Sequence, residues 1–77
     1  MTNNTNPLIP VSIATAASAG TIFVHIVGEG YEEKLHIPDG KNPVRRIDAA
    51  LRALNVGRTT GYELRGNTLV ARGTAAV

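Results

Sequence analysis

One segment of this 77-residue chain is patterned as a helix, and the segments on either side of it alternate like strands. Val44, Ile47, Leu51 and Leu54 stand at i, i+3, i+7 and i+10, a single apolar stripe at helical spacing. Asn42 is placed to cap the helix. Pro43 suits the first helical position, where its missing N–H is an orphan anyway, and Gly57 suits a left-handed stop. Arg45, Arg46, Asp48 and Arg52 fall off the stripe. A lone amphipathic helix has to lay its stripe on another layer. The expected fold is therefore α+β, a small mixed sheet with one amphipathic helix packed across it, in the order ββαββ with an extra N-terminal strand.

The strand pairs are read from period-two patterning. Thr21 to Val27 is dominated by β-branched and aromatic residues, with Ile22, Val24 and Ile26 on one face and Phe23, His25 and Val27 on the other. Gly28-Glu29-Gly30 supplies a tight connection, and Tyr31 to Ile37 returns as the second strand of a hairpin. Pro38-Asp39-Gly40 reads as a turn before the helix. Beyond it, Tyr62 to Arg65 and Thr68 to Arg72 flank Gly66-Asn67 in a second hairpin, and Gly73 to Val77 trails off. In front, Val11 to Thr15 reads as a strand, Ala16 to Gly20 as a loose connection, and residues 1–7 as a disordered leader to a single domain over 8–77.

Charge is unevenly placed along the chain. The net charge is +2, yet residues 1–28 carry no Lys, Arg, Asp or Glu. Glu29, Glu32, Glu33 and Asp39 stand against Lys34 in the next stretch, and the remainder is basic. Without cysteine there is no disulfide framework, thiolate metal site or cysteine nucleophile. Ala17-Ser18-Ala19 after an apolar run resembles a signal-peptidase site, but no cation precedes the run and Pro7 and Pro10 interrupt it. No run reaches the ~18–20 apolar residues that span a bilayer, and a cytoplasmic protein is expected.

The sequence offers little for catalysis. His25 and His36 each lie within a strand, no H-x-x-x-H spacing occurs, and Glu32 and Glu33 are adjacent and so point to opposite faces. The serines lack a G-x-S-x-G context, and Gly28-Glu29-Gly30 joins two strands instead of opening a helix onto a phosphate. No enzyme activity, cofactor or metal is expected. Arg45, Arg46, Arg52 and Arg58 are the candidate phosphate contacts of a nucleic-acid-binding protein, although Phe23, Tyr31 and Tyr62 are the only aromatics available to stack on bases.

From Thr21 to Ala71 the chain resembles the ubiquitin-like, β-grasp superfamily. The resemblance rests on the first hairpin, on Ile-Pro-Asp-Gly leading into Asn-Pro-Val-Arg-Arg-Ile-Asp-Ala-Ala-Leu-Arg-Ala-Leu-Asn-Val-Gly, and on Gly61-Tyr62-Glu63-Leu64-Arg65-Gly66-Asn67-Thr68-Leu69-Val70. It implies a protein-binding module. The chain ends Gly73-Thr74-Ala75-Ala76-Val77 and not in Gly-Gly, so conjugation and sulfur transfer are not carried over. The superfamily's last strand has no counterpart after the second hairpin. Either Leu8 to Thr15 or a neighbouring subunit fills that place, since an open edge is a liability in a monomer.

The leading expectation is a non-catalytic interaction module that binds another protein or its own copies through an open sheet face or edge. Phe23, His25, Val27, Tyr31 and Tyr62 are the candidate partner-binding residues. A small basic nucleic-acid-binding or regulatory protein is the alternative, and a self-assembling, phage-like structural subunit is the second alternative.

Overall fold

The computed structural model describes residues 7–76, so the expected leader lies, apart from Pro7, outside the described residues. Strands β1 (Leu8–Ser18), β2 (Thr21–Gly28) and β3 (Tyr31–Pro38) precede helix α1 (Pro43–Ala53), and β4 (Val56–Arg58), β5 (Glu63–Arg65) and β6 (Thr68–Ala76) follow it. They form one six-stranded sheet in the order β3-β2-β1-β6-β4, with β5 also paired to β6. The fold is α+β, as expected. The sheet, expected to be mixed, has antiparallel neighbours at every described pairing.

The N-terminal strand is the structural centre. β1 pairs with β2 on one side, Ser18 opposite Thr21, and with β6 on the other, Leu8 opposite Ala76. It is therefore longer than the Val11–Thr15 run that patterning marks. What was expected to be a loose connection over Ala16–Gly20 is strand to Ser18 and then a two-residue turn. Ala19 (φ 51°) and Gly20 (φ 79°) both take positive φ, the geometry whose twist matches an antiparallel hairpin. β6 likewise runs on to Ala76 where the sequence was expected to trail off. Its Gly73–Ala75 stretch pairs with both β1 and β4.

Alternation decides which face is buried. Val11, Ile13 and Thr15 of β1, Ile22, Val24 and Ile26 of β2, Ile37 of β3 and Ala71 and Ala75 of β6 are buried on one face, where Ile47 and Leu51 of α1 pack. A stripe of this kind contributes about 1.5–3 kcal/mol per fully buried aliphatic side chain. Val44, expected on the stripe, is exposed, and Leu54 is only partly buried. Gly73 is required by close approach: a Cβ there would stand 2.2 Å from the carbonyl oxygen of Gly57 in β4.

Both expected helix caps differ in detail. Asn42 makes no side-chain cap; it adopts the left-handed conformation itself (φ 55°, ψ 56°), and its carbonyl accepts from the Arg46 N–H at 3.1 Å. Gly57 is not the left-handed stop, because Asn55 takes that conformation (φ 61°) and Gly57 is already in β4 opposite Thr74. Asparagine is one of the few non-glycine residues that tolerates this region. The helix thus ends earlier and releases β4 to reach β6.

Candidate functional site: the uncovered sheet face

The helix covers one face of the sheet, and the strand pleat sends the alternate residues to the other. Cross-strand registers arrange these in rows. One row runs Glu32, Val27, Ser12, Arg72 across β3, β2, β1 and β6. The next runs Lys34, His25, Ala14, Val70, Glu63 and ends on β5. A third begins His36, Phe23, Ala16. Large side chains stand on β2 and small ones on β1, with charges toward the outer strands.

Phe23 and Val27 are each 43% exposed, unusual for apolar side chains in the body of a sheet. The Phe23 ring meets His36 edge-on, with centroids 4.9 Å apart at 73°. His25 Nε2 lies 2.6 Å from Glu32 Oε2, a hydrogen bond that holds the Glu32 carboxyl below its usual range, with the imidazole's charge adding to the effect. His25 and His36 do not meet across the hairpin, since they stand opposite Lys34 and Phe23. Among the described residues no hydroxyl is hydrogen-bonded to the His25–Glu32 pair, and no three His, Asp or Glu side chains converge on a metal position.

Of the five partner-binding candidates, Phe23, His25 and Val27 come together on this face, and the two tyrosines do not join them. Tyr31 shares the helix-side face with Gly28 and packs against the core. Tyr62 also packs on the core, beneath the Arg58 guanidinium, whose carbon lies 4.6 Å from the ring centroid. Its hydroxyl is buried with no partner among the described residues, and burial raises its pKa.

The four candidate phosphate contacts separate too. Arg58 is committed to the fold: Nε and Nη2 donate to the two Asp48 oxygens at 3.0 and 2.9 Å, and Nη1 donates to the Thr60 carbonyl at 2.6 Å. This fork holds α1 to β4 and keeps the Asp48 carboxyl below its usual range, mainly through the Arg58 hydrogen bond. Arg45, Arg46 and Arg52, with Lys41, instead line an open hollow of about 620 Å³ on the outer side of the helix.

Sequence reasoning missed Ser12, Ala14, Ala16, Glu63, Val70 and Arg72 as members of the open face, while Glu32 and Lys34 are read from alternation as solvated neighbours of His36 and stand there. Their alternation and the two hairpin pairings were legible, but the placement of β1 between β2 and β6, which joins the rows, was not. Main-chain groups complete the site's far margin. Between β4 and β5, Arg72 donates its N–H to the Thr60 hydroxyl at 2.9 Å, and its carbonyl accepts from the Thr59 N–H at 2.8 Å. Among the described residues no helix is long and apolar enough to cross a membrane. No protein-family model matches the chain, and comparison with curated proteins and with solved structures finds no match either.

Proposed function

We propose that this chain is a non-catalytic protein–protein interaction module of ubiquitin-like, β-grasp type that engages its partner through the open sheet face. The observation that carries the reading is the pair Phe23 and Val27, exposed at the middle of a sheet face that no element covers among the described residues. Apolar anchors inside a charged rim are how such surfaces bind: the anchors supply affinity, and the rim sets orientation. The β-grasp part of the reading is supported by a single helix that follows one hairpin, precedes another and packs across one sheet face. A photo-crosslinking residue at position 23, in cells that make the protein, tests the reading. Adducts are expected from position 23 and not from a control at Arg45 on the helix, and a position 23 that yields none overturns it.

A second reading, binding to nucleic acid, is favoured by one specific observation. Lys41, Arg45, Arg46 and Arg52 line one hollow, and none of them enters an ion pair among the described residues. Fluorescence anisotropy with a labelled 20-mer decides it. Phosphate neutralisation by about three of these cations predicts affinity that falls steeply between low and physiological salt, and near-complete loss in the R45E/R52E variant.

A further inference from the structure

We propose that the partner of the open face is a second copy of this chain, stacked sheet on sheet about a two-fold axis that runs along the strands between β1 and β2. This rests on the interaction-module reading and names the partner. The inference comes from the order of charge and size within the rows. In one row Glu32 stands on β3 and Arg72 on β6, and in the next Lys34 stands on β3 and Glu63 on β5. The sign reverses from one end of each row to the other, and reverses again between rows.

A two-fold axis along the strands keeps each row at its own height and exchanges its ends. β3 of one copy then lies over β6 of the other, so Glu32 meets Arg72 twice. Lys34 lands over Val70, and Glu63 is one strand, about 4.8 Å, farther out and within reach of its flexible stem. The same operation lays β2 over β1, so that Phe23 faces Ala16 and Val27 faces Ser12. Large residues meet small ones, as interdigitating sheet faces require. An isologous interface must be self-complementary; the two charged rows meet that demand in sign and β1 and β2 meet it in volume, with Glu32 exchanging its bond to His25, and Glu63 its contact with Arg65, for the partner's cation.

Size sets the strength. Four strands about 4.8 Å apart, each contributing about eight residues at about 3.3 Å, give a footprint on the order of 500 Å² per copy. That is the low end for a specific interface, and it implies a concentration-dependent dimer with a dissociation constant in the micromolar range or weaker.

Sedimentation equilibrium of the full chain between about 10 and 500 µM tests this, that range bracketing the affinity expected for so small an interface. The expected result is a reversible dimer that E32R weakens about tenfold, because each reversal is repeated by symmetry, with R72E behaving alike. The double variant E32R/R72E restores association to within about threefold, because the swapped charges meet again across the axis. F23S serves as a second, uncharged probe and weakens the dimer while its circular dichroism stays that of the parent and its unfolding stays cooperative, with only a small loss of stability. A monomer throughout the range, a dimer indifferent to E32R, or a double variant no better than the singles overturns the proposal. A monomer that still forms position-23 adducts with a different protein overturns the second-copy inference and leaves the interaction-module reading standing. A monomer with no adducts overturns both.

Discussion

The two faces of this sheet are built from the same strands and differ in what their alternate residues can bury. On the helix side β1 presents Val11, Ile13 and Thr15, and β2 presents Ile22, Val24 and Ile26, all buried. On the other side the same two strands present Ser12, Ala14 and Ala16 and then Phe23, His25 and Val27. On these two strands the first face is made of buried β-branched residues and packs beneath Ile47 and Leu51, while farther out on the same side Leu64 and Leu69 stay exposed. The second is uneven, with a strand of small residues beside a strand of large ones and charges outside both. A core needs uniform dense filling, whereas a complementary partner can use relief, and on that ground docking is proposed for the second face. Stability should therefore live on one side of the sheet and association on the other.

Substitution should separate the two most clearly at matched apolar positions. Leu51→Ala opens a cavity under the helix and is expected to destabilise by about 3 kcal/mol in urea unfolding, while Phe23→Ala costs less than about 1 kcal/mol because its ring is already part-hydrated. Equal losses would mean that the open face is a second core. Next in size is Gly73→Ala. Its new Cβ meets the Gly57 backbone, not a yielding side chain, so β4 must move at a cost of about 2 kcal/mol. Retained stability there would show that β4 is loosely held.

The Asp48–Arg58 fork extends the covered side and carries a pH signature. Asp48 has a folded pKa held below its unfolded value of about 3.9, so its contribution is fully present above that value and is lost as pH falls through the lower, folded one. Asp48→Asn is expected to cost about 1 kcal/mol at neutral pH and to flatten that part of the acid limb in pH-dependent melts. The smallest effect is expected at the β1–β2 turn. Ala19 sits at φ 51°, and Ala19→Asn should stabilise by about 0.5 kcal/mol in thermal melts while leaving association unchanged.

The hairpin of β2 and β3, the helix and the β5–β6 turn were legible because each is a local pattern: period two, period 3.6, and a Gly-Asn pair between strands. Local patterns read less well at their ends. Asn42 and Asn55 took left-handed conformations where a side-chain cap and a glycine stop were expected, because asparagine tolerates that region and the local pattern does not say which residue will enter it. Tyr31 and Tyr62 showed the limit for site residues. An aromatic in or beside a strand is equally ready for a core or for a surface, and only packing resolved Tyr31 of β3 and Tyr62, just ahead of β5, toward the core.

Composition and alternation alone determined that this chain makes one thin α+β layer pair, that its first 28 residues are uncharged, and that Phe23, His25 and Val27 share a face. The tertiary structure decided the rest. It put β1 between β2 and β6, tied Arg58 to Asp48, and drew Glu32, Ser12 and Arg72 into one row. The physical reason lies in the bonds that join strands. Main-chain hydrogen bonds are the same for every residue type but proline, so strand order is chosen by which arrangement buries one whole face at once, a property of no single segment.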